Sequence, residues 1–128
     1  MEIKTNIIGW VEVPVTDMER AMKFYETVFG FKMQRNQMGP FDMAWFPWVE
    51  KAPGAAGSLV HHDMYKPSQD GPLLYFSSHS GDLINELSKV EEAGGKIVMP
   101  KTLIKEDIGY MALFLDTEGN RIGLHSRQ

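Results

Sequence analysis

Residues 13–30 read VPVTDMERAMKFYETVFG, and this stretch decides the fold. Its apolar residues recur at spacings of three and four, which places them on one face of a helix. Thr16 or Asp17 can cap the start of that helix, because their side-chain oxygens accept backbone N–H bonds. Gly30 stands where a helix often ends in a left-handed residue. The predicted buried face consists of Met18, Ala21, Met22, Tyr25, Val28 and Phe29.

The same pattern returns 65 residues further along the chain. A second run begins at Asp82 and ends at Gly94 and Gly95, and Gly95 corresponds to Gly30. The offset is almost half of the 128-residue chain, so the sequence predicts two similar halves. The apolar positions of the second run that match the first are Leu83, Leu87, Val90 and Ala93.

Runs rich in β-branched and aromatic residues flank both helices and predict strands. One strand precedes each helix and three follow it, so each half has the order βαβββ. Consecutive strands joined by turns favour antiparallel pairing and an α+β fold. We predict one domain over residues 1–128, with a first module at about 6–63, a connector at 64–72 and a second module at about 72–127. The predicted strands are residues 7–15, 31–36, 43–49, 57–61, 73–78, 96–104, 109–115 and 121–126.

The composition excludes several classes of protein. Hydrophobic residues make up 43% and charged residues 23% of the chain, which is typical of a globular domain. The absence of cysteine excludes a disulfide scaffold, a thiolate zinc site and a cysteine nucleophile. A net charge of −4 without a basic patch argues against nucleic acid as a partner. With neither a signal-peptide pattern nor an apolar run long enough for a membrane span, we expect a cytoplasmic protein.

The chain resembles the vicinal oxygen chelate superfamily, the glyoxalase and bleomycin-resistance fold. In the first half the resemblance is carried by VPVTDMERA at 13–21, FY at 24–25 and FGF at 29–31. In the second half it is carried by VEEAGGK at 90–96 and DTEGNRIGL at 116–124. It implies that the two modules curl their sheets into an open, eight-stranded cleft. The superfamily hosts isomerases, ring-cleaving dioxygenases, epimerases, thiol transferases and drug-binding proteins, so the site must decide the activity.

The resemblance also implies where metal-dependent members place their ligands. The first and last of these positions are Trp10 and Gly123, and the 65-residue repeat maps them to Tyr75 and Ser58. None of the four residues has an imidazole or a carboxylate, which are the ligands that a divalent metal in an oxygen and nitrogen site needs. We therefore expect neither a metal nor another cofactor.

Strand alternation predicts the residues that line the cleft, because residues two apart share a face. Glu12 shares a face with Trp10 and alternates with two valines, so it is either a solvated carboxylate or a binding or general-base group. The same alternation selects Ser58, Tyr75, Arg121 and His125, with Arg121 placed to pair with Glu12 or to clamp an anion. Phe46 and Trp48 share one face of the third strand, and Trp45 takes the other. The predicted binding residues are Trp10, Glu12, Phe46, Trp48, Ser58, Tyr75, Arg121 and His125, with Glu12 as the candidate catalytic group.

His61, His62 and Asp63 look like a metal-binding run, but neighbouring residues on a strand point to opposite faces. We interpret them as a strand end and loop. The alternative is a metal site relocated to Glu12, His62 and His125, which would make the protein an enzyme.

The sequence thus predicts a metal-independent protein that binds a small organic molecule in a cleft with aromatic walls. Two alternatives stay open: a glyoxalase-like lyase or dioxygenase with a relocated metal, and a drug-binding resistance protein. Exposed edge strands and an excess of aromatic residues favour a homodimer.

Overall fold

A computed structural model describes residues 2–128 and contains two modules of the same element order. Each module has one strand, one helix and three further strands, as the sequence predicts. The first module comprises β1 (Trp10–Pro14), α1 (Met18–Phe29), β2 (Gln34–Met38), β3 (Phe41–Trp45) and β4 (Ala56–His61). The second comprises β5 (Leu74–Ser77), α2 (Ile84–Leu87), β6 (Lys96–Lys105), β7 (Gly109–Leu115) and β8 (Arg121–Ser126).

Each module forms its own four-stranded sheet, and the two sheets have the same topology. The strand orders are β1-β4-β3-β2 and β5-β8-β7-β6. The first strand of each module runs parallel to the last, and the other pairs are antiparallel. The α+β prediction is therefore confirmed, with one parallel pair at the same place in each sheet.

The first helix forms as its sequence pattern predicts. Asp17 is the N-cap, and its side chain accepts a hydrogen bond from the backbone N–H of Arg20. Gly30 ends the helix with φ of 75°, a left-handed conformation that costs a glycine little. Phe24 joins the predicted apolar face in the core, whereas Met22 and Phe29 are only half-buried.

The second helix is much shorter than predicted. Regular α-helix covers only Ile84–Leu87 of the run that the sequence assigns to 82–94. Beyond Leu87 the backbone N–H groups of Lys89 and Val90 bond to carbonyls three residues back, which tightens the chain into turns. The hydroxyl of Ser88 donates to the Asn85 carbonyl and competes with helical bonding there.

Four predicted strands are also shorter in the structure. β2 covers Gln34–Met38 instead of 31–36, and β5 covers Leu74–Ser77 instead of 73–78. β1 begins at Trp10, and residues 7–9 before it are exposed and outside the sheet. β3 ends at Trp45, because Pro47 has no backbone N–H to donate to a neighbouring strand. The alternation that the sequence suggests for residues 46–49 therefore does not apply.

The core lies between α1 and the helix-facing sides of both sheets. Phe24 packs against Phe114 of β7, and Tyr25 packs against Phe76 of β5. These contacts join the two modules through one shared core.

The turn at residues 116–120 also joins the modules. Asn120 Nδ2 donates to the Pro14 carbonyl at 2.7 Å, which ties the start of β8 to the end of β1. Asp116 accepts a hydrogen bond from the buried Tyr25 hydroxyl at 2.6 Å. The turn of the second module thus holds the first module in place.

Candidate functional site

A pocket of about 780 Å³ opens on the side of the first sheet that faces away from α1. The odd-numbered residues of β3 and the even-numbered residues of β1 line it, as strand alternation requires. Its lining includes one carboxylate, that of Glu12. The aromatic and methionine side chains of the wall are Trp10, Met38, Phe41, Met43, Trp45 and Tyr65.

Glu12 is exposed at the mouth of this pocket. The indole nitrogen of Trp10 lies 3.4 Å from its carboxylate, a long hydrogen bond. The carboxylate also raises the pKa of the Tyr65 hydroxyl, by hydrogen bonding and by its negative charge. Glu12 therefore presents its carboxyl group between two polar aromatic side chains, Trp10 and Tyr65.

The aromatic wall continues into the segment after β4. The ring of Phe41 stacks on the imidazole of His62 at 4.6 Å, and both contact the Tyr65 ring. His62 Nδ1 accepts a hydrogen bond from the backbone N–H of Met64. These contacts shape the turn that brings Tyr65 to the pocket.

Trp45 lines the pocket, and Ser58 is paired with it across β3 and β4 on the same face of the sheet, beneath the lining residues. We call these two residues the pocket floor. Ser58 is fully buried. Within residues 2–128, neither Ser58 Oγ nor Trp45 Nε1 has a hydrogen-bond partner. Trp10 packs edge-to-face on Trp45, with ring centroids 5.4 Å apart.

The 65-residue repeat predicts which residues of the two modules correspond to each other, and the register of the two parallel strand pairs corrects that correspondence. Glu12 lies opposite Ser58, and Trp10 lies opposite Ala56. In the second module Tyr75 lies opposite Gly123. Glu12, two residues beyond Trp10, is thus the counterpart of Tyr75. The shift arises because the link from strand to helix is longer in the second module, residues 78–83 against 15–17.

The remaining predicted residues lie on the second sheet. The Tyr75 ring lies directly on Gly123, where an added Cβ would come within 2.6 Å of it. The Tyr75 hydroxyl donates to Met111 Sδ at 3.8 Å. His125 Nε2 lies 2.8 Å from the Ile108 carbonyl and so carries the proton in that contact. Arg121 Nε is buried without a hydrogen-bond partner in the part of the chain that is described.

The structure divides the predicted site into two groups. Trp10, Glu12 and Ser58 meet on the first sheet, whereas Tyr75, Arg121 and His125 lie on the second. The expected ion pair between Glu12 and Arg121 is not among those formed by the described residues. The pocket is lined by the first module alone.

Phe46 and Trp48 are not part of the pocket wall. Phe46 packs against Tyr25, Phe31 and Phe76, which places it on the core side of the sheet. Trp48 follows the end of β3 and is 60% exposed. The prediction assigned the wrong face because the sequence does not show that Trp45, paired with Ser58, faces the cleft.

Sequence reasoning therefore missed Trp45 as a pocket residue, along with Phe41 and Tyr65. The signal was present in the cluster of aromatic residues at 41–48, but choosing between its two faces needed the pairing with β4. Tyr65 lies in the predicted connector, where no periodicity indicates its direction.

The residues at the equivalent positions do not fit a divalent metal. The two central strand pairs bring together Glu12 with Ser58 and Tyr75 with Gly123, so they offer one carboxylate and no imidazole. The Tyr75 ring occupies the space over Gly123 that a ligand side chain would need. Among residues 2–128, no group of three or more His, Asp or Glu side chains is arranged to hold a metal ion, and Glu12, His62 and His125 do not form one.

The chain belongs to the Glyoxalase/Bleomycin resistance protein/Dioxygenase superfamily, whose family model matches residues 7–124. It is 29% identical over 122 residues to a "Glyoxylase-like domain-containing protein" of Didymella fabae, covering 94% of this chain and 93% of that protein. This confirms the resemblance found in the sequence.

Two solved structures show how the fold is used elsewhere. TnmS3, an antibiotic-binding protein from Streptomyces sp. CB03234, is 26% identical, with a TM-score of 0.64 over 99% of this chain and 100% of that one. Glyoxalase I from Zea mays is 19% identical, with a TM-score of 0.67 over 92% of this chain. This chain spans 45% of the maize enzyme, slightly less than half of its length.

The longest helix, α1, has 12 residues. Nowhere in residues 2–128 is a helix long and apolar enough to cross a membrane.

Proposed function

We propose that this protein binds a small, flat organic molecule in the pocket of the first sheet, without a catalytic metal. The observation that carries the proposal is the chemistry of the lining: tryptophan, phenylalanine and methionine side chains surround one carboxylate. Apolar walls with few polar groups are typical of small-molecule sites, and flat aromatic ligands stack on such walls. In this proposal Glu12 orients the ligand through a hydrogen bond or an ion pair.

The proposal that no metal is needed rests on the potential metal ligands at the central strand pairs of the two sheets. One carboxylate, one serine hydroxyl, one phenol and a glycine do not make the set of carboxylate and imidazole ligands that zinc, nickel or iron requires. We expect elemental analysis of the purified protein to find far less than one such metal per chain. About one metal per chain, retained after dialysis, would contradict this part of the proposal.

Intrinsic tryptophan fluorescence tests the binding site directly. We would titrate the protein with naphthalene, fluorene and acridine and follow quenching together with the thermal unfolding midpoint. At least one compound is expected to bind and to raise the midpoint, since a ligand of the folded state stabilises it. Trp10→Ala should weaken that binding at least tenfold, because Trp10 forms part of the wall.

Trp48→Ala is the matched control, because Trp48 is exposed and lies outside the pocket lining. It should leave the affinity unchanged. Equal losses in both variants, or an absence of binding by all three compounds, would rule out the pocket as a site for flat aromatic molecules.

A second candidate function is the sequestration of an antibiotic. It is supported by the likeness to the antibiotic-binding TnmS3 over the full length of both chains. The exposed carboxylate of Glu12 would suit a cationic compound. Calorimetric titration with a cationic glycopeptide antibiotic of the bleomycin type tests it, and binding should weaken in Glu12→Gln.

We also propose that the protein forms a homodimer. The pocket is built by the first module, while the cleft face of the second carries Tyr75, 45% exposed, and an unpaired Arg121 among the described residues. A second copy could cover these groups. Light scattering at micromolar concentration should give twice the 14.5 kDa mass of one chain, and a monomeric particle would exclude this arrangement.

A further inference from the structure

Two buried hydrogen-bond donors on the pocket floor lack partners. Trp45 Nε1 and Ser58 Oγ are both inaccessible to solvent, and no acceptor within residues 2–128 reaches either. They belong to residues that are paired directly across β3 and β4, so both project from the same side of the sheet. Native proteins leave few buried polar groups unpaired, and each such group calls for an explanation.

Trp10, which packs beside these donors, is held by few contacts. Trp10 contacts the ring of Trp45 edge-to-face, yet Trp10 itself is 42% exposed. Its only recorded side-chain hydrogen bond among the described residues is the 3.4 Å contact with Glu12. Because that bond is long and Trp10 is 42% exposed, we expect rotation of Trp10 to cost little and to widen the pocket beside Trp45.

The chemistry of the two donors indicates which kind of ligand atom can bind both of them. An indole N–H can only donate, so its partner must be an acceptor, and a hydroxyl can donate to the same atom. A carbonyl oxygen has two lone pairs and accepts both bonds. The nearby Glu12 carboxylate disfavours a second full negative charge, so the acceptor is a neutral oxygen rather than a carboxylate.

We infer that the pocket recognises a neutral, flat aromatic ketone or quinone whose carbonyl oxygen accepts hydrogen bonds from Trp45 Nε1 and Ser58 Oγ. The inference rests on the proposed function and adds the class of ligand. The rings of the ligand pack on the aromatic and methionine wall, and its oxygen satisfies the two donors on the floor.

Two probes that differ by one oxygen test this. Fluorene and 9-fluorenone have the same three-ring outline, but only fluorenone has a carbonyl. Wild-type protein is expected to bind fluorenone at least tenfold more tightly than fluorene. In Trp45→Phe and in Ser58→Ala the preference for fluorenone over fluorene, measured as the ratio of the two affinities in the same variant, should fall several-fold.

A ¹H–¹⁵N correlation spectrum gives a readout of the contact itself. The chain has three tryptophans, and the signal that disappears in Trp45→Phe identifies the Trp45 indole N–H. Fluorenone should move this signal downfield, as expected when an N–H gains an acceptor, and fluorene should not. Trp48→Phe is the control variant and should keep the full preference for fluorenone.

The outcomes separate the two proposals. Equal affinity of wild-type protein for the two probes, or a preference that survives in both floor variants, would overturn the inference and leave the proposed function standing. If neither probe binds, the inference fails, and the proposed aromatic site fails with it when naphthalene and acridine do not bind either. A cooperative thermal unfolding transition in each variant shows that it is folded.

Discussion

The turn at residues 116–120 and the floor of the pocket differ in whether their buried polar groups have hydrogen-bond partners. In the turn, Asp116 accepts hydrogen bonds from the Tyr25 hydroxyl, from the Asn120 side chain and from the backbone N–H groups of Glu118 and Asn120. On the pocket floor, Trp45 Nε1 and Ser58 Oγ have no partner within residues 2–128. The turn holds the two modules together, whereas the two donors of the pocket floor stay unpaired, and our inference is that a ligand pairs with them.

Glu118 extends the network of the turn to the start of α1. Its side chain is fully buried, and it accepts hydrogen bonds from the backbone N–H groups of Thr16 and Asp17 and from Arg20. Burial alone would raise the pKa of this carboxyl, but the hydrogen bonds from Arg20, Asp17 and Thr16 outweigh it and lower the pKa to about 2. A negative charge at the N-terminus of a helix is also favourable.

The largest effect is expected from Asp116→Ala. The change removes a buried carboxylate, leaves the hydroxyl of Tyr25 without its acceptor and takes away one of the two acceptors of the Asn120 side-chain amide. We expect a loss of about 3–5 kcal/mol in the free energy of unfolding, measured by urea denaturation. Asp70→Ala is the matched control at an exposed position and should change stability by less than about 0.5 kcal/mol. Similar small losses in both variants would show that the turn does not hold the modules together.

A smaller, pH-dependent loss is expected from Glu118→Gln. The folded-state pKa of about 2 lies below the ordinary value of 4.5, so the ionised carboxylate stabilises the fold at pH values above 4.5. We expect a loss of about 2–3 kcal/mol at pH 7. The difference between wild-type protein and the variant should shrink as the pH falls from 4.5 towards 2. Glu19→Gln, on the exposed face of α1, should show no such convergence.

Ser58→Ala should shift stability in the other direction. The variant removes a buried hydroxyl that has no partner among the described residues, and the cost of its burial disappears with it. We expect the free energy of unfolding to rise by about 1 kcal/mol in the absence of ligand. Ser77→Ala, exposed on β5, serves as the control and should have little effect. A clear loss of stability in Ser58→Ala would mean that this hydroxyl is bonded in solution and that the contrast with the turn is false.

The smallest effect on stability is expected from Glu12→Gln. Glu12 is exposed and forms no ion pair among the described residues, so the free energy of unfolding should change by less than about 0.5 kcal/mol. The affinity for a cationic ligand should nevertheless fall about tenfold. Glu50→Gln, exposed in the segment after β3, is the control for both measurements. A large loss of stability with unchanged affinity would make Glu12 a structural residue.

Much of the fold could be predicted because its signals are local. The apolar spacing of α1, its Asp17 cap and Gly30 lie within one continuous segment, and the structure confirms all three. The second helix was overestimated because its periodic apolar residues satisfy the helical pattern even where Ser88 and the following turns interrupt it. Periodicity reports which side of a segment is buried and does not by itself report its hydrogen bonding.

The candidate site could be predicted only in part. The structure brings Trp10, Glu12 and Ser58 to one face of the first sheet, as the regular alternation of β1 and β4 predicts, and their role in binding stays a prediction. The sequence analysis placed Phe46 in the pocket and Trp45 outside it. Which alternate residues of β3 face the pocket is decided by the pairing with β4, which the sequence does not show. Of the two roles predicted for Arg121, the ion pair with Glu12 is not formed among the described residues, because strand alternation assigns a face and carries no information on the distance between two sheets.

The sequence by itself determined the two-module βαβββ order, the first helix with its caps, and the family to which the chain belongs. Those properties depend on turn residues, apolar spacing and side-chain chemistry, which act between residues near one another in the chain. Only the tertiary structure decided that Glu12 lies opposite Ser58, that Trp45 faces the pocket, and that the turn at 116–120 holds the start of α1. A shift of two residues in strand register keeps every side chain on the same face of the sheet but changes the residue that lies opposite it. The alternation of apolar and polar residues therefore does not fix the register, which is set by packing between distant segments.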